Sequence, residues 1–383
     1  MTIQQHLENY REGKNCTLLG VGPMSKNCVD ATIELAEEYH SPLMLIASRR
    51  QIDSEQFGGG YVENWTTKQF ADYVFEKDIN KNIILARDHG GPWQNELEKS
   101  QNMNFKDAMQ SAKDSYKADI DAGFHMLHID PSVDIHAQPD TDQILERVYE
   151  LYDFCWSYAK QKNQDIIFEI GTEEQSGSNN SQGELEYTLE SMRKFCKSNK
   201  MSFPSFVVIQ AGTRVMETKN VGSFDSPIRV KNELPPEIQI PKMINLCNKY
   251  GIFMKEHNTD YLSTESLRWQ PRLGIHAANV APEFGVVETR AFVNILERNN
   301  QNDLLNEFLR IAYDSKKWTK WMLNDTNASN KDKSIIAGHY VFASDECIAL
   351  KAEARNRIKG LDDYLKNKVK ESIYRYVRAF NLT

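Results

Sequence analysis

Short apolar runs recur along residues 17–285, separated for the most part by segments whose apolar residues fall three or four apart. The runs are Thr17–Gly22, Leu43–Ala47, Ile83–Ala86, Met126–Ile129, Ile166–Ile170, Phe206–Ile209, Ile252–Met254 and Leu273–Ala277. They are short and continuous, so each predicts a strand buried on both faces, as in a parallel sheet. Between them, Asn27–His40, Thr66–Glu76, Phe105–Ala122, Asp142–Lys160, Glu184–Ser198 and Pro236–Tyr250 predict helices with one apolar face. Leu262–Gln270 is too short for a full helix, and an irregular repeat is expected there. Eight strand–helix alternations over about 270 residues predict a (β/α)8 TIM barrel. The rival is a doubly wound open sheet, which calls for G-x-G-x-x-G after the first strand. Gly20-Val-Gly22-Pro23 does not continue that way. Past residue 290 the strand pattern stops. Arg290–Glu297, Asp303–Trp321, Ser344–Lys359 and Leu361–Phe380 predict helices, and Asn324–Asp332 a polar loop. The expected division is a barrel over 1–290 and a helical C-terminal extension over 291–383, packed on the barrel or at an oligomer interface.

Composition narrows the class. The 383 residues carry 46 Lys+Arg against 54 Asp+Glu, a formal charge of −8. That lacks the basic footprint of a nucleic-acid binder. The longest apolar runs fall far short of the ~20 residues of a membrane span. Met1–Tyr10 is polar and shows no secretory signal. The six cysteines are scattered without a C-x-x-C, the pattern of reduced thiols rather than disulfides or a structural zinc site. The expectation is a cytoplasmic protein acting on a small molecule.

A barrel enzyme places its chemistry at the C-terminal ends of its strands, so the residues that follow each run are the ones to read. They include Asp88-His89-Gly90-Gly91, then His128 and Asp130, Gly171-Thr172-Glu173-Glu174, Gln210-Ala211-Gly212-Thr213-Arg214, Glu256-His257-Asn258-Thr259-Asp260, and Asn279. Imidazoles and carboxylates converging on one rim suit a divalent metal, with zinc the first choice. His89 and His257, each flanked by a carboxylate, are the candidate ligands. His128, inside a strand, is balanced between core and site. His125 and His276 read as structural or exposed. Two glycine-rich stretches, Phe57-Gly58-Gly59-Gly60-Tyr61 and the one around Gly212, offer backbone N–H groups to phosphate. Arg49 and Arg50 add positive charge beside the first.

At these residues the sequence resembles the Z-type subunit of tagatose-1,6-bisphosphate aldolase, the GatZ/KbaZ family. The resemblance is carried by Gln56-Phe-Gly-Gly-Gly-Tyr61, Ile83-Ile-Leu-Ala-Arg-Asp-His-Gly-Gly-Pro92, Ala122-Gly-Phe-His-Met-Leu-His-Ile-Asp130, Ile170-Gly-Thr-Glu173, Val207-Val-Ile-Gln-Ala-Gly212, Glu256-His-Asn-Thr-Asp-Tyr261 and Val280-Ala-Pro282. A weaker match runs from Ser344-Asp345 to Tyr376-Val-Arg-Ala-Phe380. The resemblance implies the barrel of class II sugar-phosphate aldolases. It implies zinc on His89 and His257, an Asp88 that serves as acid and base, and Glu173 or Asp130 completing the metal shell. The family usually carries a Lys where Asn279 stands here, which points to a substrate other than the usual bisphosphate. It also implies a partner, because the Z-type chain is described as supporting a separate catalytic aldolase subunit.

The expected catalytic groups are therefore Asp88, Glu173 and Asp260, and the expected metal ligands His89, His257 and Glu173. The expected substrate contacts are Arg49, Gln56, Gly58, Gly59, Asp130, Gln210, Gly212 and Asn279. The first expected function is metal-dependent cleavage or formation of a C–C bond in a ketose phosphate. A non-catalytic subunit of an aldolase and a sugar epimerase or isomerase are the alternatives, each as a homo- or hetero-oligomer.

Overall fold

The computed structural model describes residues 3–171, 182–209, 212–222 and 236–383. Among the described residues ten strands form: β1 (Leu18–Val21), β2 (Leu43–Ser48), β3 (Ile83–Gly90), β4 (Met126–Ile129), β5 (Ile167–Ile170), β6 (Phe206–Ile209), β7 (Arg214–Met216), β8 (Lys219–Val221), β9 (Phe253–Glu256) and β10 (Ala277–Val280). Eight of them close a barrel in the order β1-β10-β9-β6-β5-β4-β3-β2, every pairing parallel. The strands are buried along nearly their whole length, the two-sided burial that their continuous apolar runs require. The connecting helices start at side-chain caps: Ser25, Thr66, Asn104, Asp140 and Ser263 each accept a backbone N–H of the first turn.

Three expectations shift. The last barrel strand is Ala277–Val280 rather than Leu273–Ala277, because Leu273 ends a complete ten-residue helix, Thr264–Leu273, capped by Gly274 in the left-handed conformation. The segment expected to be irregular is thus a regular crossover. An antiparallel hairpin, β7–β8, stands at the mouth after β6. The expected polar loop holds over 324–329, and its last three residues open a helix, Asn330–Ala337, behind a Ser329 capping box.

The C-terminal helices do not simply follow the barrel. The final helix, Leu361–Ala379, lies against both the first barrel helix, Lys26–Tyr39, and the last crossover helix, Thr264–Leu273. Tyr374 stacks on Tyr39, Lys366 and Lys370 pair with Glu34, and Arg375 donates to the Leu262 carbonyl. This is the ring position an eighth barrel helix occupies. Its apolar residues Val369, Ile373, Tyr376 and Val377 belong to the barrel core. Helices between 282 and 358 form an excursion with a second core that includes Phe292, Phe308 and Leu350, and the start of the final helix joins it through Leu361 and Leu365. The excursion reaches the mouth: Tyr340 packs on Tyr61, and the Glu217 N–H donates to Trp321 O. Among the described residues no helix is long and apolar enough to cross a membrane. All six cysteines are buried and free.

Candidate metal centre at the barrel mouth

Strand β3 carries Arg87, Asp88 and His89 in succession. In a regular strand, neighbouring side chains leave on opposite faces. Here the pairing with β4 slips between Arg87 and Gly90, and His89 takes φ 45°, a region non-glycine residues rarely enter. With this bulge both Asp88 and His89 line the cavity at the C-terminal mouth. Arg87, ahead of it, is fully buried and doubly bonded to Asp119.

Asp88, His128, Glu169 and His257 each offer one donor atom, all within 4.8 Å of one another. The contacts are 3.5 Å from His128 Nδ1 to Glu169 Oε1 and 3.6 Å from His257 Nε2 to the same oxygen. Asp88 Oδ1 lies 3.8 Å from His128 Nδ1 and 3.7 Å from His257 Nε2. Donors on a tetrahedral ion with bonds of ~2.1 Å stand about 3.4 Å apart. Glu169 Oε2 is held by Lys255 Nζ at 2.7 Å, while Oε1 is buried without a hydrogen-bond partner. A buried orphan carboxylate oxygen facing two imidazoles is a costly arrangement unless something positive joins it. The donor set and the orphan oxygen fit a divalent cation.

The charge states agree. Burial would raise the Glu169 pKa, but Lys255, then His128 and His257, hold it at about 2. Burial likewise opposes ionisation of Asp88, and His89, His128 and His257 pull it below the usual carboxylate range. Burial outweighs the carboxylates at His257 and keeps that imidazole neutral through a lowered pKa. Ionised carboxylate and neutral imidazole are the ligating forms. His89 differs. Burial is overcome there by Asp88 and Asp130, and its pKa is raised. Its Nδ1 is bonded to Asp130 Oδ2 at 2.8 Å, and its Nε2 stands 3.6 Å from Asp88 Oδ2. His89, His128 and Asp130 make a second group with cation-compatible spacing.

Small residues make room for this cluster. A Cβ on Gly171 would stand 2.4 Å from His128 Nε2, and one on Gly20 would stand 2.3 Å from Asn279 Oδ1. Gly171→Ala is expected to displace the His128 ring at a cost of about 1–3 kcal/mol and to weaken metal retention. Denaturant titration and metal analysis after dialysis read the two effects.

The expected site residues fall into several groups. Asp88, His89, His257, Asp260 and Asn279 line the central cavity. Asn279 Nδ2 lies 3.0 Å from His257 Nε2 and 3.2 Å from Asp88 Oδ1. Asp130 is buried behind His89 and orients it, rather than facing a substrate. Asp260 Oδ1 accepts the N–H groups of Ala281 and Glu283 at the start of helix Pro282–Arg298, and burial raises its pKa to about 7. Arg49 is not available to a substrate: its side chain is fully buried and bonded to Asp53, Glu98, Gly91 O and Ser111. The Gly58 and Gly59 N–H groups are already given to Glu55 O and Ser54 O, and that of Gly60 to Trp65 O. The loop folds by its own backbone bonds, so these glycines do not form the expected phosphate cradle. Gln56 is exposed in a separate depression with Thr66 and Lys117. Gly212 turns the chain at φ 90° ahead of the hairpin and does not line the cavity. Glu173 and Gln210 lie outside the described residues.

Glu169 and Lys255 were not singled out by sequence, although each is a charge inside a strand-forming stretch. They lie on strands either side of β6, where Glu169 pairs with Phe206 and Lys255 with Val208, two residues on and so on the same face; His128 pairs with Glu169 across β4–β5.

These observations define a closed (β/α)8 barrel with a buried carboxylate–imidazole centre able to hold a metal at its C-terminal mouth. The chain belongs to the D-tagatose-1,6-bisphosphate aldolase subunit GatZ/KbaZ-like family, whose model matches residues 3–305. Solved structures share the fold at low identity. A protein crystallised as a probable tagatose 6 phosphate kinase from Sinorhizobium meliloti 1021 superposes with a TM-score of 0.70 at 17% identity, over 95% of this chain and all of that one. The fructose-bisphosphate aldolase of Campylobacter jejuni gives 0.56 at 13%, over 100% and 94%. The fructuronate-tagaturonate epimerase UxaE of Cohnella laeviribosi gives 0.58 at 11%, over 96% and 81%.

Proposed function

We propose that this protein is a metal-dependent aldolase that cleaves or forms a C–C bond in a ketose phosphate in the cytoplasm. The observation that carries the reading is the orphan Glu169 Oε1 facing His128 and His257, with Asp88 completing the group. Those residues would hold the ion, and zinc suits the mixed imidazole and carboxylate donors. A bound divalent ion supplies Lewis-acid polarisation of a substrate carbonyl, a contribution of several kcal/mol.

The chain's own groups handle the protons. Asp130 fixes His89 with Nδ1 bonded and Nε2 toward the cavity, the arrangement of an oriented acid–base imidazole. In this reading Asp88 Oδ1 faces the ion beside His128 and His257, and Oδ2, 3.6 Å from His89 Nε2, takes the proton of the hydroxyl at the breaking bond. Asn279 offers an amide donor at the same point. The four-donor cluster opening on the central cavity supports an active chain over a purely supporting subunit, and the family supports assembly with another aldolase chain.

The test is a product assay on purified protein loaded with zinc. Incubation with a panel of ketose phosphates is expected to release a triose phosphate, detected by a coupled dehydrogenase, and chelation is expected to stop the release. A new sugar of unchanged mass would replace the aldolase reading by an epimerase. No turnover by the zinc-loaded chain would leave the supporting-subunit reading.

A further inference from the structure

The central cavity opens beside a second cleft of about 440 Å³, and the two share Arg50, Tyr61, Lys320 and Tyr340 as walls. The charge in the second cleft is one-sided. Arg50, Lys99, Lys316, Lys317 and Lys320 line it, and Glu96 is the one acid among its described lining residues, apart from the buried and paired Arg49. This collection of cations stands out on a chain of net charge −8.

The cations come from two places in the fold. Arg50 follows β2, and Lys316, Lys317 and Lys320 belong to the excursion laid over the mouth. Among the described residues, Lys316, Lys317 and Lys320 form no ion pair. Lys320 Nζ rests over the rings of Trp321 and Tyr340, at 4.5 and 5.6 Å from their centroids. Lys316 Nζ likewise rests over Tyr313. Arg50 Nε is buried without a hydrogen-bond partner, 3.3 Å from an exposed Glu96 carboxylate. Lys316, Lys317 and Lys320, held near one another with no ion-pair partner among the described residues, repel one another until an anion arrives.

We propose that this cleft binds the phosphate group of the substrate, with the excursion's Lys317 and Lys320 and the barrel's Arg50 as its ligands. The proposal rests on the sugar-phosphate reading above, and it names the end of the substrate that the C-terminal helices recognise. Five cations against one acid suit a phosphate dianion better than a single carboxylate, and an Arg fork beside several lysines is a common phosphate-binding set. Because Arg50 and Lys320 also face the cavity that holds Asp88 and His257, a phosphate in the cleft leaves the sugar chain directed at the metal centre. Phosphate recognition thus comes from side chains of the excursion and from Arg50, in a cleft that Gly59 and Gly60 of the glycine loop also line.

The test titrates inorganic phosphate, and acetate as a carboxylate probe, into the full chain by calorimetry at constant ionic strength. Wild type is expected to bind phosphate saturably and acetate far more weakly. Lys317→Ala/Lys320→Ala is expected to weaken phosphate binding by at least about tenfold. With a cleaved ketose phosphate the same variant is expected to raise KM more than it lowers kcat. Phosphate binding unchanged in the variant overturns the proposal, as does acetate binding equal to phosphate. A chain that binds phosphate here but turns over no ketose phosphate overturns the aldolase reading alone.

Discussion

Glu169→Ala is expected to remove bound metal and reduce turnover below detection, and at the same time to destabilise the fold. Glu169 is wholly buried, with one oxygen on Lys255 and the other facing His128 and His257. Truncation deletes a donor from the cluster and leaves the Lys255 ammonium buried and unpaired. Breaking such a pair costs about 3–5 kcal/mol. The two consequences separate in the double variant Glu169→Ala/Lys255→Met. A buried ion pair replaced by apolar groups is commonly neutral or stabilising, so the double variant should recover most of the lost stability. It should not recover the metal. Metal analysis and denaturant titration of wild type, both single variants and the double variant form the cycle. If Glu169→Ala keeps a full equivalent of metal, the carboxylate is not a ligand and Lys255 is its sole partner.

That outcome turns on a residue the sequence hides. Asp88, His89 and His257 stand out because they follow apolar runs, where a polar side chain needs a reason. Glu169 and Lys255 sit inside β5 and β9, and His128 inside β4. Read one strand at a time, each is an interruption in a core segment. The reason for them is pairwise: opposite charges carried inward on different strands of a closed barrel satisfy each other across the lumen. Only the register reveals that. The barrel itself was legible because strands buried on both faces have a distinctive pattern. The ring-closing role of Leu361–Ala379 was not, since an amphipathic stripe states that a helix packs and not which neighbours it packs on. The eighth strand was misplaced because Gly274 is a helix stop, with φ 85°, and the apolar residue before it belongs to the helix.

Arg49→Met is expected to cost about 3–5 kcal/mol of stability while leaving substrate KM unchanged at temperatures where the variant stays folded. Position alone made Arg49 and its neighbour equivalent candidates for an anionic substrate, and burial separates them. The Arg49 guanidinium donates to Asp53 at 3.0 Å and pairs with Glu98 at 2.6 Å, with both side chains essentially inaccessible. It also donates to Gly91 O, tying the end of β2 to the loop after β3. Methionine fills the volume but leaves two buried carboxylates without their cation. Ser115 and Asn95 still donate to Asp53, and Ser111 to Glu98, which moderates the loss without cancelling it. Denaturant midpoints with an unchanged slope would show a stability effect alone. A raised KM with an unchanged midpoint would instead return Arg49 to the substrate. The contrast with Arg50 is then a direct comparison of adjacent residues: Arg49 holds the loop in place, and Arg50, whose Nε faces only the exposed Glu96 carboxylate at the cleft, is the residue proposed to meet the anion.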